Sequence, residues 1–402
     1  MSTRLSADTL KSHQPWVEVA QGKYGTVPRL QENQIGFQDS RRMDGVRALS
    51  GMRQYLEQVK NPFVVLDSWE GLFFETHTLG VEEISKLVED YDARFVVVTE
   101  RREQTDLDYL LDGVVVLRRK FHEGRIVREI ELKKLRGVSI NQSRFLFTLE
   151  SGKFRYLPPF RATSLEEDSQ VGEPISSEKK DYLSSGSRSM DAVLEGGLRR
   201  GSLNLLELRT DVPSRILHLV LRTIFSNFVN SGSSVVYAPF IGTAKREMDE
   251  ILPNLGRETI ERKVVVLGYG PDEKGKAFLT GDVASDFNLI EATIEKQQQQ
   301  SGQPVLVVFD EDALEELYGA DDVSKYLARS IAHIRTGDNI HIQITSPDAA
   351  LVTALRALCN VDLRVELINA TPVLYTDKPF STLHGMIRDP EAKGKLGLLP
   401  IV

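Results

Sequence analysis

The chain has 402 residues, 41% of them hydrophobic and 27% charged, with a net charge of −8. This is the composition of an ordinary globular protein long enough to bury two separate cores, and the acidic balance argues against bulk nucleic-acid binding as its main task. No apolar run approaches the roughly 18 residues of a membrane span and no secretory apolar region follows Met1, so a cytoplasmic protein without membrane contact is expected.

The first residues, MSTRLSADTLKSHQPW, read as the end of a strand followed at once by a helix with Ser6 as its N-cap. No strand precedes them. Residues 47–59 carry Leu49, Met52, Leu56 and Val59 at helical spacing, and Asn61-Pro62 ends that helix. A buried strand at residues 63–66 finishes in Asp67-Ser68-Trp69; a helix at 81–91 feeds a strand at 95–98 that ends in Thr99-Glu100. The alternation continues through residues 106–110 into a strand at 114–117. Unbroken Val/Leu runs separated by helices predict an α/β fold with a mostly parallel sheet and flanking helices. From Arg128 the pattern changes to two strand-like stretches around turn residues, which predicts an antiparallel hairpin on the sheet edge. Pro158-Pro159 opens a polar, acidic stretch, so residues 158–180 are expected to link a first domain at 1–157 to a second at 181–402.

Residues 184–219 have the layout of a phosphate-binding segment: a small-residue turn and short helix lead through Gly196-Gly197 and Gly201-Ser202 into an apolar strand, then a loop and a helix. A phosphate loop reads G-x-x-x-x-G-K-[ST], because glycines let the backbone curl its N–H groups around phosphates. Here the loop reads Leu208-Arg209-Thr210-Asp211-Val212-Pro213-Ser214-Arg215. Pro213 removes an N–H, Asp211 brings negative charge, and Ser214 stands at the lysine position. The rest of this half repeats the first. A strand at 305–309 ends in Asp310 as 63–66 ends in Asp67, a strand at 341–344 ends in Thr345-Ser346, and residues 358–367 match 110–117. The only cysteine, Cys359, reads as a small buried apolar residue, and the run Gln297-Gln298-Gln299-Gln300 as a solvated helix face.

These landmarks resemble the RecA superfamily, and within it the KaiC-like, RadA-like archaeal group that includes GvpD-like regulators. The second half carries the group's opening, with Ser185-Gly186, Met190-Asp191, Leu194, Gly196-Gly197-Leu198 and Gly201-Ser202. The first half carries the later landmarks VVLDSWEGL, VVTE, LDYLLDGVVVL and REIELKKLRG. The resemblance implies two tandem RecA-like domains of the P-loop NTPase fold, the second with a degenerate phosphate loop. The first lacks its opening strand and loop, either because the reading frame starts upstream of Met1 or because the domain is truncated.

Under that resemblance Asp67 corresponds to the Walker B aspartate that holds Mg²⁺ through water; on residue type alone it is a carboxylate capping the loop after a strand. Ser68 and Glu100 flank the same place. Asp310 has the same ancestry, and beside it Glu311 and Asp312 form a like-charge cluster best explained by exposure. The hydrolytic carboxylate position falls on Thr3-Arg4 and on Pro239-Phe240, none of which can act as a base. Lys134 and Arg136 resemble a pair that reaches the γ-phosphate of a neighbouring subunit; equally, they read as a solvated basic edge strand. The second half holds no clear copy, although Lys378 lies near the equivalent hairpin.

The expected protein is therefore a regulatory or scaffolding relative of ATPases with weak or absent hydrolysis, acting as a homo-oligomer or on a protein partner, with ATP and Mg²⁺ as doubtful ligands. Two rivals stand beside it. One is an ATP-binding signalling enzyme whose first site is completed by upstream or neighbouring-subunit residues, and the other is a RadA-like DNA-associated protein, disfavoured by the acidic balance.

Overall fold

The computed structural model of the chain describes residues 19–21, 35–37, 45–73, 77–100, 106–160, 173–239, 248, 250–253, 255–269, 278–388 and 396–402. The expectations placed on Ser6, Thr3-Arg4 and Phe240 lie outside them. The fold is α/β with one large, mostly parallel sheet and antiparallel hairpins. The chain separates into two compact units, Met1–Val114 with Lys134–Gly137, and Val115–Lys133 with Val138–Val402.

In the first unit, β1 (Val19–Gln21) pairs in parallel with β2 (Ile35–Phe37). Then come α1 (Gly45–Leu56), β3 (Phe63–Asp67), α2 (Trp69–Phe73), α3 (His77–Tyr91), β4 (Arg94–Val98) and α4 (Asp106–Leu110). β3 and β4 form a two-stranded parallel sheet. Strand alternation turns Leu66 and the half-buried Val64 and Phe95 toward one core with Leu49 and Met52 of α1 and Trp69 of α2. The opposite residues, Phe63, Val65, Val96 and Val98, are exposed.

β5 (Gly113–His122) begins in the first unit and continues in the second, followed by β6 (Arg125–Leu135), β7 (Arg144–Thr148) and β8 (Arg155–Leu157). These four strands form one sheet in sequence order. The hairpin expected from residue 128 is β6 with β7, paired antiparallel, and β5 precedes it in the same sheet. The two-residue turn from β5 to β6, Glu123-Gly124, has φ of 47° and 74°, the positive pair of a type I′ turn. The sequence grouped these strands with the first domain, whereas most of their residues cluster with the second unit. The described flanks of the 158–180 stretch are also bonded within the second unit: Phe160 N–H to the Ala370 carbonyl at 2.8 Å, and Ile175 N–H to Asn227 Oδ1 at 2.7 Å.

The second unit continues with β9 (Tyr182–Leu183), α5 (Arg188–Val193), β10 (Leu198–Arg199), β11 (Ser202–Leu208), α6 (Ser214–Asn230) and β12 (Ser234–Ala238). Next are α7 (Arg257–Lys263), β13 (Val264–Val266), β14 (Gly268–Tyr269), β15 (Phe278–Leu279), α8 (Val283–Ser301), β16 (Val305–Asp310), α9 (Glu311–Tyr318) and α10 (Ala320–Thr336). The last elements are β17 (Ile340–Thr345), α11 (Val352–Leu358), β18 (Val361–Ile368), β19 (Thr371–Lys378), β20 (His384–Arg388) and β21 (Leu396–Pro400). The large sheet has the order β13-β12-β16-β17-β11-β18-β19-β20-β21, parallel as far as β18 and antiparallel beyond it. β11 is flanked on both edges; α5 and α6 cover one side of the sheet and α8, α10 and α11 the other, which is why it reads as an unbroken apolar run. Gln297, expected on a solvated face, is buried.

The same order of elements occurs twice. β3-α2-α3-β4-α4-β5-β6-β7-β8 is matched by β16-α9-α10-β17-α11-β18-β19-β20-β21. Asp67 pairs in register with Val98 as Asp310 pairs with Ile344. The β18–β19 turn, Asn369-Ala370, again has both φ values positive, 51° and 60°. In the second set the strand pair sits between β12 and β11; the first pair stands as a two-stranded sheet among the described residues.

Within the second unit the sheet β5–β8 packs one face on the sheet β18–β21. Val127 and its counterpart Val373 meet in a shared core with Leu146, Leu157 and Leu399. Arg125 is buried there, its guanidinium 4.4 Å from the Tyr375 ring and 4.2 Å from Phe380, donating to the carbonyls of Ser381 and Thr376. A Cβ at Gly385 would lie 2.5 Å from Leu157 Cδ1, so the two positions share one space. Leu157→Ala should cost about 2–4 kcal/mol in urea unfolding. Gly385→Ala should destabilise the parent chain but be tolerated in the Leu157→Ala background, giving a positive coupling in the double-mutant cycle.

Candidate functional site

Open parallel sheets bind ligands outside the carboxyl ends of their strands, and of the residues singled out in the sequence Asp67, Ser68, Glu100 and Asp310 lie there. The opening motif of the second half proves to be a local lock. Asp191 accepts from the Ser185 N–H at 2.7 Å and from Ser185 Oγ at 2.6 Å, and Ser187 caps α5 through the Met190 N–H. Gly186 and Gly197 have φ of 93° and 109°, and a Cβ at either would sit 2.4 Å from a backbone carbonyl, of Thr223 and Leu183 respectively. Glycine is required at both by backbone packing.

The loop from β11 to α6 is a tight turn. Arg209 donates its N–H to the Val365 carbonyl at 3.3 Å, the Val212 N–H returns to the Arg209 carbonyl at 3.0 Å, and Ile216 N–H goes to the Pro213 carbonyl at 2.9 Å. Pro213 occupies the N-cap of α6 without a side-chain cap. The Arg209 side chain reaches Asp211 at 3.6 Å and Glu366 at 3.7 Å.

At the end of β16, Asp310 caps α9 by accepting from the Ala313 N–H at 3.2 Å. The exposure expected for its neighbours does not hold. Glu311 is 1% exposed with Oε1 lacking a hydrogen-bond partner, because the first turn of α9 points it inward. Burial, with Glu315, Asp312 and Asp310 nearby, pushes its carboxyl up to about 8. Asp312 is engaged as well, accepting from Thr345 Oγ1 at 2.7 Å and from the Ser346 N–H at 2.9 Å.

The first unit repeats this arrangement. Glu70 on α2 accepts from the Glu100 N–H at 3.1 Å, as Asp312 does from Ser346, and the buried Ser68 donates its hydroxyl to Glu100 Oε1 at 3.3 Å. The structure therefore brings Asp67, Ser68 and Glu100 together at the ends of β3 and β4, joined by Glu70, a residue the sequence reading passed over. Lys134 and Arg136 serve another place. Lys134 Nζ donates to the carbonyls of Asp108 and Tyr109 at 2.8 and 3.1 Å, and Arg136 to the Tyr109 carbonyl and Asp112 at 3.1 Å each, so both cations sit on the carbonyl end of α4. Lys378 does the same in the second set, donating to the Cys359 carbonyl at the end of α11. Lys378 thus shares the role of Lys134, although by count from the turns it corresponds to Leu132.

Sequence reasoning also missed Glu207, the last carboxylate on β11. It is buried and held bidentately by Arg356, at 2.6 and 2.5 Å. With Arg364, Glu366 and the hairpin residue His122 it lines a cavity of about 170 Å³ at the end of β11. His122 Nε2 lies 2.5 Å from Glu366 Oε1, and Arg364 pairs with Asp377 at 2.7 Å. The available signal was a lone acid inside an apolar run, which demands a counter-ion elsewhere in the chain. Among the described residues no group of three His, Cys, Asp or Glu is arranged to hold a metal ion, and no helix is long and apolar enough to cross a membrane.

Protein GvpD2 of Halobacterium salinarum is 26% identical to this chain over 344 residues, covering 76% of the chain and 64% of GvpD2. Protein GvpD1 of the same organism is 29% identical over 189 residues, covering 44% of the chain and 35% of GvpD1. The chain is a homologue of these GvpD proteins. It spans less than two thirds of either relative's length. No family model matches it. Kinship with GvpD agrees with the α/β architecture and with the landmarks that suggested the group.

The folded chain holds the Glu311 proton up to about pH 8, whereas an unperturbed Glu releases it near 4.5. The native state then binds more protons between those values, so this group lowers stability as pH rises across that window. Glu311→Gln should leave the melting temperature little changed at the acid end and raise it at the alkaline end, as read by thermal melts across the range. An equal shift at both ends would show that the carboxyl is already ionised.

Proposed function

We propose that this chain is a GvpD-like member of the RecA superfamily built from two tandem KaiC-like repeats. Its nucleotide chemistry has degenerated, and its role is regulatory or scaffolding, exercised in the cytoplasm through a protein partner or self-assembly. The observation that carries this reading is the β11–α6 loop. A phosphate cradle needs several free N–H groups converging on one point. Here the Arg209 and Val212 N–H groups are bonded to carbonyls, Pro213 has none, and Asp211 adds negative charge. The residues present do not fit the phosphates of ATP. The doubled element order supports the tandem reading. The matched roles of Lys134 and Lys378 on helix ends favour a structural use of the Lys134–Arg136 pair over a reach into a neighbouring site.

One observation favours a second reading. Asp67, Ser68 and Glu100 lie together at the ends of β3 and β4, where Asp67 would hold Mg²⁺ through water in an ATP-binding signalling protein whose phosphate loop comes from upstream or from a neighbouring subunit. Fluorescence polarisation of a labelled ATP analogue with Mg²⁺ separates the two. The pseudo-ATPase reading expects no saturable binding up to about 100 μM nucleotide. A micromolar Kd that is lost in Asp67→Asn overturns it in favour of the second.

A further inference from the structure

The repeat carries an inference that does not depend on the nucleotide reading. The sheet β5–β8 has two faces. One, with Val127, Leu146 and Leu157, is buried against β18–β21. Strand alternation turns Val115, Leu117, Arg119 and Phe121 of β5 to the other. Ile130 of β6 lies opposite Phe145 of β7, both half-buried, and the exposed Tyr156 of β8 lies beyond them opposite Phe147, which is buried under the stacked ring of Phe154. Leu117 is 59% exposed, Phe121 66% and Tyr156 59%. A contiguous apolar and aromatic face of this kind marks an interaction site.

The second repeat displays what covers such a face. Counting back from the two equivalent turns, Val115, Leu117, Arg119 and Phe121 correspond to Val361, Leu363, Val365 and Leu367 of β18. There Leu363 is 5% and Val365 1% exposed, because they share a core with Met190 of α5 and with Ile216, Val220 and Ile224 of the amphipathic helix α6. Two hydroxyls, of Thr223 on α6 and Ser189 on α5, accept the N–H groups of Leu396 and Leu398 on β21, at the far edge of the same sheet. The equivalent face of β5–β8 keeps the apolar side chains but lacks a helix among the described residues.

It differs at one central position. Where β18 has the buried Val365, β5 has Arg119, exposed, with its guanidinium 5.4 Å from the Phe121 ring and no ion-pair partner among the described residues. The cations on the opposite side of β5, Arg118 and Lys120, are neutralised by Glu131 and Glu129. A helix seated here has to bring a carboxylate to the middle of its apolar stripe, because an arginine covered without one is left desolvated and unpaired.

We propose that the outer face of β5–β8 is the docking site for an amphipathic helix of a partner protein, seated as α6 is seated on the second repeat and carrying an acidic residue that pairs with Arg119.

The chain's own cysteine, Cys359, is buried, so Leu117→Cys places a unique reactive thiol on the face for an environment-sensitive fluorophore. The labelled full chain is titrated with two synthetic peptides, the α6 sequence (residues 214–230) and the same sequence with Val220→Glu, which puts a carboxylate in the middle of the apolar stripe, and with a scrambled form of the second. The expected result is a saturable blue shift with the Val220→Glu peptide, about 10-fold tighter than with either control, and an inverted order of the two α6-derived peptides when Arg119→Glu is added. Five results would overturn the proposal. They are no saturable shift up to about 1 mM peptide in a chain that circular dichroism shows folded, equal binding of the scrambled peptide, or an unchanged order in Arg119→Glu. The fourth is a label already buried without peptide in a particle sedimenting at twice 45.2 kDa, which would make the occupant a second copy. Saturation by oligothymidine in place of peptide would equally replace the proposal with a single-strand binding face.

Discussion

Placing β11 at the centre of a sheet, with a neighbour on each edge and a core on each side, is the constraint from which the rest of the second unit follows. A strand so enclosed can carry no charge without a partner held in fixed geometry. Glu207 obliges Arg356 on α11 to point back at the strand end, and Arg364 on the adjoining strand turns the same way, toward Asp362 and Asp377. The same enclosure fixes where the following loop starts. With β18 alongside, the Arg209 N–H continues the ladder to Val365 instead of turning toward solvent. The loop is short because the sheet extends into it.

Repetition supplies the second organising rule. At the carboxyl end of the paired strands both halves use one device, a carboxylate from the following helix that accepts an N–H within two residues beyond the next strand: Glu70 with Glu100, Asp312 with Ser346. Both halves close the helix before their hairpin with a lysine on the last carbonyls. Features preserved in both copies at this level answer to backbone geometry, since each satisfies main-chain groups that would otherwise be left without partners. Features found in one copy only, such as Arg119 in place of Val365, are where the two halves have been put to different uses.

Most of this architecture was legible in the chain. A fully buried strand such as β16 announces itself as an apolar run, and the acid that ends it marked its carboxyl end correctly. The reading failed where burial and composition part company. β5 was cut short at Leu117 because Arg118-Arg119-Lys120 looks like a loop, yet those residues keep strand geometry by pairing across to β6. Glu311 was taken for a solvated acid, since nothing in a run of carboxylates reveals which one the helix turns inward. The stretch from Pro158 reads as a linker by composition, and composition gives no sign that its described ends are hydrogen-bonded to a turn and to a helix distant in sequence. Glu207 and Arg356 are 149 residues apart, and pairing at that distance has no local signature.

The path of the chain through β5 and β6 has a mechanical consequence. Because the unit boundary cuts both strands of this hairpin and again follows Gly137, the polypeptide passes between the two units three times. Cleavage at any one crossing divides the chain in two and leaves a segment of one unit on the piece that carries most of the other.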